Sequence, residues 1–349
     1  MGKYYQKVLT KKLSPILNYS GIGQLTKSFY SGKGQILMLH RVIPWSGKER
    51  IHNHLSLEIS PERLVNIIEF FKKKDYSFIS LDELPAWLEN NYRTSRKFVI
   101  FTFDDGYKDN LDFAYPVLKK HNVPFTIYIT SSFPDRKAII WWYILEDLIL
   151  RNNKIQYTFS SGSVNINCQN YIKKEKAFAC LRGLITQLDD KNLENELAGF
   201  FFKYGFSVHE YNNELTLSWN SISQLSKDPL VIIGAHTLNH YNLCSLSDEQ
   251  SYHEIIGSKN RIEAKINYKI KHFSYPLGKY GTREMEFVNK SNYLTATTIK
   301  TANVFYNHVD HLFALPRISI NALTDEMVLN LMVKGFYPAI LHKFKRIIY

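Results

Sequence analysis

Apolar residues in this chain fall into two recurrent arrangements, and the alternation between them predicts the fold. The first is a short apolar run of strand length, rich in β-branched and aromatic side chains. It occurs at residues 34–42, 76–79, 97–103, 125–130, 231–233, 272–275, 294–298 and 317–320. The second is a helical period. Ser60 precedes Pro61 as a capping residue before a proline at the first helical position, and Leu64, Ile67, Ile68 and Phe71 then recur at three- and four-residue steps. Further helices are predicted over residues 81–90, 110–121, 218–226, 248–266 and 284–290. Buried strands separated by helices imply parallel strands with right-handed crossovers.

The alternation breaks at about residues 143–218. There, residues 155–159 and 164–168 flank Ser160-Ser161-Gly162-Ser163 as a hairpin, and helical patterns follow around residues 171–188 and 193–204. The expected fold is therefore α/β, a distorted and incomplete (β/α) barrel of about seven strands with a hairpin-plus-helices insert. No G-x-G-x-x-G follows the first strand, which argues against an open dinucleotide-binding sheet, and Ser31-Gly32-Lys33-Gly34 lacks the spacing of a phosphate-binding loop.

At 349 residues, 45% hydrophobic and 14% aromatic, the chain has material for a large core. Its net charge of +12 changes the picture only through its placement. Lys3, Lys7, Lys11, Lys12, Lys27 and Lys33 precede the first acid, Glu49, while Lys334, Lys343, Lys345 and Arg346 follow the last, Glu326. The expected organisation is a basic amphipathic N-terminal segment (1–33), a central α/β domain (34–322) and a basic amphipathic C-terminal helix or tail (323–349). Cations mixed with Tyr, Leu, Ile and Phe suit peripheral contact with an anionic membrane surface; the competing reading is a pair of solvated terminal helices. Nucleic acid is not expected as a partner, because the middle of the chain is nearly neutral and has no reading motif.

No apolar stretch is long enough to cross a bilayer, since residues 138–150 are interrupted by Glu146 and Asp147. The N-terminus has lysines but no apolar segment leading to small residues, so a cytoplasmic enzyme, peripheral to the inner face of the membrane, is expected. Cys168, Cys180 and Cys244 are odd in number and lack Cys-x-x-Cys spacing, which argues against a disulfide framework and a thiolate zinc site.

The chemistry sits where strands end. Asp104 and Asp105 follow the run Phe98-Val99-Ile100-Phe101-Thr102-Phe103, and His236-Thr237-Leu238-Asn239-His240 follows Val231-Ile232-Ile233. Carboxylates at the edge of a core need a cation or hydrogen bonds to offset desolvation. Two histidines and one carboxylate make a three-ligand metal site with an open position, and one carboxylate is left over. His-x-x-x-His alone is a weak signal; the strand ends around it strengthen it.

With these residues in view, the sequence resembles the NodB-type polysaccharide deacetylases of carbohydrate esterase family four. The likeness is carried by Thr102-Phe103-Asp104-Asp105-Gly106-Tyr107, by His236-Thr237-Leu238-Asn239-His240 and by Phe273-Ser274-Tyr275-Pro276-Leu277-Gly278. It implies that Asp105, His236 and His240 hold a divalent metal, zinc above all, and that Asp104 is the general base. The oxyanion would meet the metal and a backbone amide; Pro276 has no N–H, so the donor falls to Leu277 or a neighbour.

Two departures from the family pattern move other roles. His308 and His311 lack the leucine-led setting of the usual late proton donor, so the resemblance to the branch with an early strand-end histidine points to His40 in Leu37-Met38-Leu39-His40. Ser274 stands where the third motif usually opens with an arginine. Arg317, in Leu315-Pro316-Arg317-Ile318, could supply the contact to a carboxylate instead; a surface salt bridge is the other reading.

Tyr275 and Trp142 are expected to touch the sugar. Trp141, Trp142, Tyr143 and Trp219 bracket the insert; aromatic faces suit stacking on sugar rings, but such residues are more often core. The implied substrate is an N-acetylated saccharide, a polysaccharide or a lipid-linked sugar, deacetylated during surface glycan assembly. Alternatives are hydrolysis of another small acyl amide, such as N-formyl, or an inactive glycan-binding relative.

Overall fold

The computed structural model describes residues 15–17, 19, 22–90, 96–186 and 190–348. Its strands are β1 (Gly34–Leu39), β2 (Arg41–Val42), β3 (Glu58–Ile59), β4 (Ser77–Phe78), β5 (Phe98–Phe103), β6 (Phe125–Ile129), β7 (Lys154–Phe159), β8 (Gly162–Asn167), β9 (Val231–Ala235), β10 (His272–Ser274), β11 (Thr295–Thr297) and β12 (Ile318–Ser319). Seven of them form one arc in the order β11-β10-β9-β6-β5-β1-β12. Every pairing along it is parallel.

β4 joins the lower half of the β5 edge, Ser77 facing Phe98, while β6 takes the upper half, Phe101 facing Phe125. Among the described residues the two ends of the arc meet through a single bridge between Thr297 and Leu315, so the barrel is incomplete as its sequence predicts. β1, β5, β6 and β9 are buried along their whole length, which is why they read as unbroken apolar runs.

The helix Pro61–Lys73 has the expected construction: the Ser60 hydroxyl accepts from Arg63 N at 3.2 Å, and Leu64, Ile67, Ile68, Phe70 and Phe71 face the core. Truncating Phe71 to alanine would cost about 3–5 kcal/mol. Two elements differ from the sequence pattern. The first apolar run is interrupted at His40, leaving β1 and the two-residue β2. The helix expected over 110–121 opens with a wide π-helical turn, Asn110–Ala114, before Tyr115–Lys120. Pro116 explains the second difference, because it has no N–H to bond Asp112 four residues back.

The insert comprises the helix Trp141–Arg151, the β7–β8 hairpin, and the helices Tyr171–Ile185, Asp190–Lys203 and Val208–Leu215. It closes around its own apolar cluster, including Leu145, Leu148, Phe178, Leu181, Phe200 and Phe201. The hairpin turn is tighter than expected, with Phe159 paired to Gly162 across Ser160-Ser161. The chain returns to the barrel where Leu217 N donates to Gly106 O at 3.0 Å.

The C-terminal segment is two helices. Glu326–Val333 buries Leu329 and Met332 in the barrel core, and Phe336–Leu341 follows Gly335, whose φ of 78° turns the chain. A side chain at 335 would meet the Tyr30 backbone at 2.3 Å. Of the basic N-terminal segment, Lys3, Lys7, Lys11 and Lys12 lie outside the described residues. The three cysteines are free; Cys168 is buried, Cys180 and Cys244 are exposed. Among the described residues no helix is long and apolar enough to cross a membrane.

Candidate metal centre and active site

The carboxyl ends of β5, β9 and β10 converge, with His40 beyond β1 and Arg317 ahead of β12. β5 runs on through Asp104, whose N–H donates to Leu39 O at 3.0 Å, and the chain then turns sharply, with φ of 75° at Asp105 and 70° at Gly106. The positive φ favours glycine at 106, where a side chain would also have to displace the Ile129 terminal methyl, 2.8 Å away. Past β9 the pairing with β6 continues: His236 N donates to Ile129 O at 2.9 Å and Ser131 N to Thr237 O at 3.1 Å.

His236 and His240 therefore sit on a turn, not a helix, with Thr237 and His240 at φ of 65° and 62°. Asp105, Thr237, His240 and Leu277 are all non-glycine residues in the left-handed region, each costing about 1 kcal/mol. Such strain gathered at three strand ends marks a place shaped for something other than packing.

His236 Nδ1 lies 2.7 Å from Ser274 O. Only a protonated Nδ1 can donate there, which leaves the Nε2 lone pair free. That Nε2 is 3.4 Å from Asp105 Oδ1, and His240 Nε2 is 3.3 Å from the same oxygen. Asp105 Oδ1 is buried and has no hydrogen-bond partner among the described residues. Burial alone would raise the Asp105 carboxyl, but the two imidazoles hold it well below the ordinary carboxylate range.

Two ring nitrogens stand 3.3–3.4 Å from a buried anionic oxygen, close enough for ion pairing but without a hydrogen bond to it. That spacing fits a tetrahedral cation, whose ligands at ordinary zinc distances are about 3.3 Å apart. Asp105, His236 and His240 are the one such cluster among the described residues.

Asp104 faces a different partner. Arg317 is completely buried and meets it through two hydrogen bonds, Nη1 to Oδ1 and Nη2 to Oδ2, each 2.7 Å. The reading of Arg317 as a surface salt bridge is thereby set aside. Its remaining donors reach Thr298 O (2.8 Å), Thr102 Oγ1 (3.2 Å) and Ser274 Oγ (3.0 Å), so all five N–H groups are used. Ser274, the residue in place of the family's arginine, thus touches the arginine that came from elsewhere. Burial works to raise the Asp104 carboxyl, yet the charge and hydrogen bonds of Arg317 outweigh it and keep it low.

His40 is half-buried, and its imidazole makes no hydrogen bond among the described residues. Burial lowers it from its ordinary value, against the opposing pull of Asp105 and Asp104. A lower value makes its protonated form a stronger acid while shrinking that form's share near neutral pH. The backbone that carries it is clamped. Asn110 Nδ2 donates to His40 O at 2.8 Å, and Asp109 accepts from Val42 N at 2.9 Å and from Arg41 Nε at 2.6 Å.

In the turn after β10, Leu277 has φ of 57° and a 41% exposed side chain, and its N–H has no partner among the described residues, whereas Gly278 N and Lys279 N bond back to Tyr275 and Pro276. Trp142 donates to the Tyr107 hydroxyl at 2.9 Å, and its ring lies 5.3 Å from that of His240. It lines an open cleft of about 330 Å³ with Trp141, Glu194, Asn239, His240 and Tyr241. Tyr275 corrects the sequence reading. It is fully buried, its hydroxyl donates to Phe313 O at 3.0 Å and its ring stacks on Tyr280, so its side chain supports the turn and is not exposed at the surface.

Several contributors escaped the sequence reading. Asp109 and Asn110 follow the paired aspartates in Asp-Asp-Gly-Tyr-Lys-Asp-Asn, a polar density that could have drawn notice. Glu254 accepts from Asn239 N at 2.9 Å and Nδ2 at 2.6 Å, fixing the histidine turn from a distant helix with no local signal. His54, which has no partner pattern in the sequence, lies 2.6 Å from Glu146. His308 is buried and accepts from Phe305 N, and burial pushes it down to about 4, a structural histidine away from the strand ends.

Fold and site together define a hydrolase built on strand-end acids and histidines. A family model described as polysaccharide deacetylase matches residues 91–170 and 186–296, more than half of the chain. The chain belongs to that family, of the NodB type in carbohydrate esterase family four, whose members hydrolyse carbon–nitrogen bonds other than peptide bonds and in general depend on a metal.

Among curated proteins it is 26% identical over 196 residues to the poly-β-1,6-N-acetyl-D-glucosamine N-deacetylase of Staphylococcus epidermidis, covering 47% of this chain and 65% of that protein. It is 19% identical over 266 residues to YxkH of Bacillus subtilis, provisionally named a polysaccharide deacetylase, covering 76% and 67%. Among solved structures, the Streptococcus pyogenes deacetylase PplD in complex with acetate superposes with a TM-score of 0.56 at 17% identity, covering 86% of this chain and 97% of that one. IcaB from Ammonifex degensii gives 0.54 at 14% identity, covering 87% and 97%. At these identities the superpositions speak to the fold.

Proposed function

We propose that this deacetylase removes acetyl from N-acetylhexosamine residues of a surface glycan of the poly-N-acetylglucosamine kind, with a divalent cation, zinc by ligand chemistry, held by Asp105, His236 and His240. The observation that carries the reading is the buried Asp105 oxygen, without a hydrogen bond among the described residues, facing two histidine Nε2 atoms. The substrate class is supported by the relative in Staphylococcus epidermidis, whose name specifies that polymer.

When bound, the cation would supply Lewis acidity, acidifying a water and polarising the acetamide carbonyl. Asp104, kept ionised by Arg317, accepts the proton of the attacking water. Because Arg317 also makes Asp104 a weak base, that transfer is favourable only for a water made acidic, which is why the two aspartates belong to one site. The Leu277 N–H is free to donate to the oxygen that gains charge. His40 delivers a proton to the departing amine, its placement set by Asp109 and Asn110. Trp142, beside His240 in the open cleft, offers an aromatic ring on which a sugar can stack.

The test is incubation of zinc-loaded protein with N-acetylglucosamine oligomers and with nucleotide- and lipid-linked N-acetylhexosamines, scored for released acetate. Acetate from the oligomers is expected; release of formate from N-formyl analogues in preference to acetate would replace this reading.

A further inference from the structure

Two segments far apart in sequence, Ile22–Tyr30 and Phe336–Leu341, meet beside the amino ends of the strands, at the opposite end of the barrel from the site. The Tyr30 hydroxyl donates to Phe344 O and Arg346 Nε to Phe29 O, each at 2.7 Å. Around these contacts large apolar side chains stand in solvent: Phe29 is 59% exposed, Ile340 53% and Phe344 63%. Isolated exposed apolar residues are ordinary, but three in one contact area form a patch.

The same area is rich in cations without counter-charges. Lys97 is pushed down to about 8 by burial and by the nearby charges of Lys27 and Lys33. Lys27, Lys33, Lys343, Lys345 and Arg346 form no ion pair among the described residues, and no acid occurs in residues 1–48 or 327–349. A second copy of the chain on this face would set lysines against lysines across a two-fold axis. A nucleic acid would leave the phenylalanines and Ile340 without a role. An anionic, apolar-backed surface satisfies both halves of the patch.

We propose that this face docks on an anionic lipid bilayer, Phe29, Ile340 and Phe344 entering the headgroup boundary and the lysines lying among the headgroups. β1 rises about 20 Å from this end to His40 at about 3.3 Å per residue, so the site of a docked enzyme opens away from the lipid. Resting on the deacetylase reading above, this favours a glycan chain extending from the membrane over a sugar held at headgroup level.

Co-sedimentation of the full chain with vesicles tests it, without reference to activity. Binding is expected to vesicles of phosphatidylcholine with phosphatidylglycerol, to fall with added salt, and to be absent with phosphatidylcholine alone. The double substitution Lys343→Glu, Lys345→Glu should weaken it more than about tenfold, each charge near the headgroups being worth roughly fivefold. Phe344→Ser should weaken it as well, and both variants should melt at the parent temperature. No binding, equal binding to neutral vesicles, or stronger binding to random-sequence DNA overturns the proposal. So does a self-association in analytical ultracentrifugation that these same variants abolish.

Discussion

Arg317 and Asp104 join through two parallel hydrogen bonds of 2.7 Å although 213 residues separate them, and neither is open to solvent. The pair fixes the plane of the candidate base from the residue just before the last strand of the barrel. Replacing Arg317 by methionine leaves a buried, unpaired carboxylate, at a cost of about 3–5 kcal/mol in stability. Arg317→Lys keeps the charge but loses the fork, and turnover should fall at least about tenfold at unchanged metal content, measured by acetate release alongside metal analysis.

His40 is expected to matter only where the leaving group needs a proton. His40→Ala should slow release of acetate from N-acetylglucosamine oligomers by about 10²–10⁴-fold while retaining metal. Hydrolysis of p-nitrophenyl acetate, whose leaving group departs as a stable anion, should change little. Equal losses on both substrates would point to another proton donor. Asp109→Ala, which frees Arg41 and Val42, should reproduce the oligomer defect in part.

Leu277 is expected to act through its N–H alone. Leu277→Gly should leave turnover within a fewfold of the parent and relieve about 1 kcal/mol of left-handed backbone strain, visible as an unchanged or raised melting temperature. A large loss of activity in that variant would show that the leucine side chain is itself engaged.

The insert is tied to the barrel by charge. Glu146, in the helix Trp141–Arg151, is 2% exposed and accepts from Arg50 at 3.0 Å, with His54 Nδ1 at 2.6 Å. Burial would raise it, yet His54 and Arg50 hold it at about 2, below the ordinary 4.5. A depressed carboxyl stabilises the fold fully above its unfolded value and loses that contribution as pH falls through its folded value. Glu146→Gln should therefore cost about 3 kcal/mol at pH 7 and progressively less between about pH 4.5 and 2. Urea denaturation across that range checks the convergence.

Much of this was legible in the sequence, for identifiable reasons. Strands buried on both faces have no choice but to be apolar throughout, so β1, β5, β6 and β9 announced themselves. The cluster of Asp105, His236 and His240 was legible because its members sit in short motifs directly after such strands. Arg317 was found from an absence, Ser274 in place of an arginine, and the structure brings the two into contact.

What stayed hidden depends on distance. Glu254 holds Asn239 and Glu146 holds His54 across packed elements, and no local pattern records either. Tyr275 was misread because an aromatic beside a catalytic turn looks the same in sequence whether it faces the substrate or the core. The break at His40 and the wide turn at Asn110–Ala114 arise from tertiary contacts and from Pro116, which periodicity does not register.

The central claim is that Asp105, His236 and His240 make one metal site whose neighbour Asp104 performs proton transfer. Its most direct test is to measure bound zinc and acetate release together for the parent, Asp104→Asn and His236→Ala. The account predicts about one zinc per chain in the parent and in Asp104→Asn, with activity in the parent alone, and neither metal nor activity in His236→Ala. Deacetylation that persists in Asp104→Asn, or in protein stripped of metal by a chelator, would contradict it.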